Sequence, residues 1–133
     1  MTNRKILVVD DERDMRIYLS TIVETMGGIP IVACDGAEAV QKAESELPAL
    51  IVLDIMMPRI ENGIQAYQRF KTDRQFSGIP IIVLSAIAHK TFLHTIRILG
   101  PQINEPLPEP EAYVEKPPDA DELSALIRKF VSL

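Results

Sequence analysis

Two adjacent carboxylates at Asp10 and Asp11, a third at Asp54, a hydroxyl at Ser85 and an ammonium at Lys116 each stand at or just beyond the end of a short apolar run. If those runs are neighbouring strands of one sheet, all five groups reach the same rim. Three carboxylates gathered there repel one another and lose hydration, and a hard divalent cation with oxygen ligands offsets both costs; Mg²⁺ fits that description. Ser85 and Lys116 can each bind a phosphoryl oxygen, the lysine as a compact point charge suited to stabilising an anion. Plainer roles exist: Asp11 as a helix cap, Asp10 as a solvated strand end, Asp54 as a loop acid. Each is tenable singly, but together they leave the coincidence unexplained.

The elements that must position these groups are legible in the hydrophobic pattern. Lys5 to Asp10, Ile29 to Ala33, Leu50 to Asp54 and Ile79 to Ser85 are rich in Val and Ile and read as strands buried on both faces, with Ala112 to Glu115 a weaker fifth. Glu12 to Met26 carries Met15, Tyr18, Leu19, Ile22 and Met26 at helical spacing, and Gly27-Gly28 supplies a stop. Gly36 to Leu47, Ile64 to Lys71 and His89 to Leu99 are helical patterns too. A last stripe, Leu123, Leu126, Ile127 and Phe130, follows an acidic start at Asp119 with Glu122 three residues on.

Fivefold strand-helix alternation at short spacing implies right-handed crossovers and a parallel sheet covered on both faces. The expected fold is therefore α/β: a flavodoxin-like, doubly wound, five-stranded sheet of order 2-1-3-4-5, whose topological switch lies between strands one and three. Asp10, Asp11 and Asp54 fall at that point. Gly100 to Pro110 (GPQINEPLPEP) breaks the rhythm and should form an extended loop before strand five.

At 133 residues the expectation is one domain, 1–133, with its own core and no folded output module. No apolar run approaches the roughly 20 residues of a membrane span, and the first residues lack the order of a secretory signal, so a cytoplasmic location without membrane partners is expected. The formal charge of −5 gives no footprint for direct nucleic-acid binding. Cys34, alone at the end of an apolar run, reads as a small buried side chain.

Taken in order, Val8-Val9-Asp10-Asp11-Glu12, Leu53-Asp54-Ile55-Met56-Met57-Pro58, Asn62-Gly63, Leu84-Ser85-Ala86 and Glu115-Lys116-Pro117 resemble the receiver domain of two-component signalling. The resemblance covers nearly the whole chain. It implies that Asp54 is the phosphoacceptor, that Asp10, Asp11 and Asp54 place Mg²⁺ with the Met56 carbonyl, that Ser85 is the switch hydroxyl, and that Lys116 pairs with the phosphoryl group. The implied donor is a phosphohistidine on a histidine kinase or histidine phosphotransfer domain. Tyr113 is the implied switch residue on strand five, moving from exposed to buried on phosphorylation, with helix four, strand five and helix five as the output face. Lys116-Pro117 could be cis, turning the ammonium inward. The downstream protein is not named by any residue, and dimerisation through the output face is left open.

Departures from the family pattern are local. Thirty residues separate Ser85 from Lys116, more than a typical receiver uses, and the excess coincides with the Pro-rich stretch. Arg59-Ile60-Glu61 makes the loop over the metal site about one residue longer than usual. Apolar side chains at Met56 and Ile87 would hinder an attacking water, so slow self-dephosphorylation is expected. His89 and His94, five apart, are poorly spaced for a metal and are assigned no chemistry.

Three rival functions are weighed against this. A phosphatase of the haloacid dehalogenase class would need an acid two residues beyond Asp54, where Met56 stands. A flavin carrier would need a Ser/Thr/Gly-rich phosphate loop where Asp10-Asp11-Glu12 stands. The alternative that keeps the fold is a pseudo-receiver, a protein-binding module without phosphorylation.

Overall fold

The computed structural model describes residues 3–57, 60–99 and 107–133. Along them run β1 (Lys5–Val9), α1 (Arg13–Thr25), β2 (Ile29–Ala33), α2 (Gly36–Glu46), β3 (Leu50–Asp54), α3 (Ile60–Thr72), β4 (Ile81–Ser85), α4 (His89–Leu99), β5 (Ala112–Glu115) and α5 (Ala120–Phe130). All sheet pairings are parallel, and the order is β2-β1-β3-β4-β5. The flavodoxin-like expectation holds.

Alternation along each strand splits the core into two layers. Ile6, Val8, Leu50, Val52, Ile82, Leu84 and Val114 face α1 and α5, where Leu19, Val23, Leu123 and Ile127 meet them. Leu7, Val9, Ile51, Leu53, Ile81 and Val83 face the opposite layer, filled by Ala39, Tyr67, Phe70 and Phe92. Burying one such aliphatic or aromatic side chain contributes about 1.5–3 kcal/mol, so the strands that carry the site are fixed from both sides.

Helix ends follow their chemistry. Gly27 takes φ +88 just past α1, a left-handed turn that a glycine adopts without penalty. Asp119 accepts the Glu122 N–H at the start of α5, as its sequence implied, and Asp35 does the same for Glu38 at α2.

Several expectations are corrected. β2 is not buried on both faces: it is the sheet edge, with Ile29 43% and Val32 41% exposed. That edge is blunted, because Pro30 has no N–H and the Cys34 N–H is taken by the Glu38 carboxylate at 2.6 Å. Cys34 is exposed rather than buried, since the edge position leaves nothing to cover it. On α1, Val23 joins Leu19 and Ile22 in the core while Tyr18 is exposed, its hydroxyl donating to the Pro118 carbonyl. α3 begins at Ile60 rather than Ile64, so Asn62 and Gly63 lie in its first turn. The stretch 100–106 and the residues Pro58 and Arg59, on which the expectations of an extended loop before strand five and a lengthened loop over the metal site rest, lie outside the described residues; 107–110 enter β5 without regular structure.

Candidate functional site

The switch between β1 and β3 brings Asp10 and Asp54 together at the carboxyl edge, with 0% and 1% exposure. Each carboxylate is held the same way. Asp10 accepts the Glu12 N–H at 2.9 Å through Oδ1, and Asp54 accepts the Met56 N–H at 3.0 Å through Oδ1. The second oxygen of each faces Lys116, whose Nζ lies 2.8 Å from Asp10 and 3.3 Å from Asp54. Lys116 follows β5, where its N–H donates to the Ser85 carbonyl at 2.8 Å and its peptide bond to Pro117 is cis.

Ser85 is fully buried at the end of β4, and its Oγ accepts the Ile87 N–H at 3.3 Å. Asp11 is exposed at the rim; carboxylate oxygens of Asp10, Asp11 and Glu12 lie within 4.8 Å of one another. Asp10, Asp54 and Lys116 are thus in direct contact, with Ser85 on the adjoining strand and Asp11 at the opening. Met56 is 39% exposed.

Burial, followed by the negative charge of Asp10, raises the Asp54 carboxyl to about 6, with Lys116 pulling the other way. Burial also opposes the charge on Lys116, but bonds to Asp10 and the field of Asp54 outweigh it and raise its pKa. One ammonium therefore faces two buried carboxylates, with Asp11 and Glu12 adding negative charge outside. The donor set is all oxygen, carries excess negative charge and opens to solvent on the Asp11 side. It fits a hard, partly hydrated cation such as Mg²⁺ and not a soft metal.

Tyr113 is half-buried, and its hydroxyl donates to the Ile87 carbonyl at 2.7 Å. Burial pushes that hydroxyl up to about 12, against an opposing contribution from Ser85. His89, to which the sequence assigned no role, stacks on Tyr113 with centroids 4.6 Å apart and planes 14° apart. Arg16 was also missed: its guanidinium donates to the Asp10 carbonyl at 2.9 Å, bracing the turn that carries the acidic pair. The available signal was spacing, since Arg16 sits on the first turns of the helix that follows Asp10-Asp11.

A closely approaching main chain sets the β3–α3 turn. Asn62 donates its side-chain amide to the Met57 carbonyl, and Gly63 packs so near Ile55 that any Cβ there would meet its backbone. Asn62-Gly63 thus seats α3 against the turn that presents Asp54.

Compared with known families, residues 6–128 match the model of the response regulator receiver domain. The chain is 35% identical over 127 residues to a probable transcriptional regulator, ycf27, of Guillardia theta, covering 96% of this chain and 45% of that protein. It is 32% identical over 128 residues to the response regulator Rre1 of Synechocystis, covering 96% of this chain and 51% of that one. The chain therefore spans about half the length of these relatives. Among solved structures, the chemotaxis protein CheY4 of Vibrio cholerae is similar in fold, with a TM-score of 0.77 at 22% identity over 97% of this chain and 99% of that one.

Proposed function

This chain belongs to the response regulator receiver domain family, and from that premise we propose that 1–133 acts as a single receiver domain whose phosphoacceptor is Asp54. Receiver domains are signalling modules of two-component systems, and the family normally binds Mg²⁺ at an acidic cluster. The observation that carries the assignment is the buried Asp54 carboxylate, pinned by the Met56 N–H and facing Lys116 beside a second buried acid.

The donor in this reading is a phosphohistidine of a histidine kinase or histidine phosphotransfer domain. A carboxylate oxygen of Asp54 attacks phosphorus in line with the departing imidazole. The P–N bond breaks as the P–O bond forms, and the product is an aspartyl phosphate. Asp10, Asp11, Asp54 and the Met56 carbonyl would hold Mg²⁺, which supplies charge neutralisation for the phosphoryl oxygens when bound. Lys116 leaves its carboxylate contacts to pair with the incoming phosphoryl oxygens, and Ser85 offers its hydroxyl to another. Movement of Ser85 shifts the Ser85–Ile87 segment, to whose carbonyl Tyr113 is bonded, which is how the signal reaches β5 and α4.

The formal charge of −5 argues against direct nucleic-acid binding by these 133 residues themselves. Among the described residues no helix is long and apolar enough to cross a membrane; a cytoplasmic location is part of the proposal. Apolar Met56 and Ile87 near the acceptor support a phosphoryl lifetime well beyond seconds.

The test is intact mass after incubation with Mg²⁺ and acetyl phosphate, repeated with Asp54→Asn and with EDTA. A single phosphoryl adduct lost in both controls supports the assignment. No adduct, where another receiver is labelled, would leave the pseudo-receiver reading.

A further inference from the structure

Half-buried Tyr113 begins an aromatic chain that runs into the core. Its ring rests on Phe92 of α4 with centroids 5.3 Å apart, and Phe92 meets Tyr67 of α3 edge-on at 5.2 Å and 85°. Phe92 and Tyr67 are both 0% exposed. The hydroxyl of Tyr67 emerges from this core to donate to the Pro108 carbonyl, in the segment that leads into β5. Leu107 beside it is buried in the same cluster. A close-packed interior has no free volume to absorb a moving ring, so a displacement of Tyr113 is passed on by contact to Phe92 and Tyr67.

The segment has a second, independent hold. Glu111 receives two bonds from the buried Lys71 ammonium, at 2.7 and 2.9 Å, and accepts the Ile81 N–H at 2.6 Å. This fixes the end nearer β5 and leaves the Leu107–Pro108 end to the Tyr67 hydroxyl.

We infer that Tyr67 is a positioning residue of the switch, tying the segment before β5 to Tyr113 through Phe92, so that phosphorylation repositions residues 107–109. The inference rests on the phosphoacceptor reading of Asp54. It makes residues 107–109, which lead into β5, part of the output face.

The experiment is NMR of the full chain with and without Mg²⁺ and beryllofluoride, a mimic of the phosphoryl group, following the Ser85 and Ala86 amides, the Leu107 methyls and the Glu109 amide. In the wild type all should shift. In Tyr67→Phe, which keeps the ring, and in Phe92→Leu, which interrupts the chain but keeps the hydroxyl, Ser85 and Ala86 should still shift while the response at 107 and 109 is lost. Wild-type resonances at 107 and 109 that stay in place while Ser85 and Ala86 move would overturn the inference. So would a wild-type response in Tyr67→Phe. If no resonance moves and acetyl phosphate leaves no adduct, the reading of Asp54 fails and takes this inference with it.

Discussion

Gly63, in the first turn of α3, lies against the main chain of Ile55, and a Cβ at position 63 would overlap the Ile55 carbonyl oxygen. The obstruction is backbone, which cannot rotate away as a side chain would. Gly63→Ala must therefore push α3 off the turn that presents Asp54 and Met56. A loss of roughly 1–3 kcal/mol in urea unfolding is expected, with slower labelling of Asp54 by acetyl phosphate. Unchanged stability and labelling would mean that α3 seats differently from the arrangement described.

Asp54→Asn should change stability in a pH-dependent way. The folded carboxyl is raised from 3.8 to about 6, mainly by burial and then by Asp10. A raised folded pKa means that the protonated form is favoured by folding, so its contribution is complete below about pH 4 and is lost as pH rises through about 6. In EDTA at pH 7 the asparagine variant should be more stable than the wild type by roughly 1–3 kcal/mol, the gap closing toward pH 4. Added Mg²⁺, by pairing with the ionised carboxylate, should narrow it at pH 7. Urea titrations at both pH values decide; a gap independent of pH would sink the electrostatic account.

Lys116 separates two effects that usually travel together. Its ammonium partly neutralises Asp10 and Asp54, so Lys116→Met should leave two buried carboxylates unpaired and cost roughly 3 kcal/mol without metal. The same removal of positive charge should tighten Mg²⁺ binding, while labelling by acetyl phosphate slows because the phosphoryl oxygens lose their cation. Calorimetric Mg²⁺ titration and labelling rates are the measurements. Weaker Mg²⁺ binding would show that Lys116 organises the carboxylates more than it competes for them.

How far the sequence carried this can be judged from particular residues. Strand-end acids at Asp10 and Asp54 were legible because parallel strands buried on both faces read as apolar runs and a fivefold alternation admits few topologies. Ile29 to Ala33 read like its central neighbours although it is the edge, because residue type reports apolarity and not what covers it. Pro30 was the signal that pointed to an edge, and Cys34 was misplaced for the same reason. The early start of α3 escaped because Asn62-Gly63 in its first turn reads as a turn signal, which masks the i, i+4 spacing of Ile60 and Ile64. Contacts between distant segments, such as His89 on Tyr113 or Tyr67 with Pro108, leave no mark in local spacing at all.

The pair of Lys71 and Glu111 should respond asymmetrically to mutation. The Lys71 side chain is 5% exposed and that of Glu111 34% exposed, so the lysine bears the larger desolvation penalty and depends on its partner more than the glutamate does. Glu111→Ala leaves an ammonium buried against the Tyr67 ring, 6.0 Å from its centroid, with its carboxylate gone. It also removes the acceptor for the Ile81 N–H at the entry to β4. A cost of roughly 3–5 kcal/mol is expected. Lys71→Met keeps the volume and the apolar stem, removes the buried charge, and leaves Glu111 its Ile81 bond and access to water, so it should change stability by less than about 1 kcal/mol. The double variant should fall much nearer to Lys71→Met than to Glu111→Ala, because the penalty belongs to the unpaired ammonium. Urea unfolding of the three variants measures this directly, and equal losses for the two single substitutions would place the energy in the ion pair itself and not in the burial of Lys71.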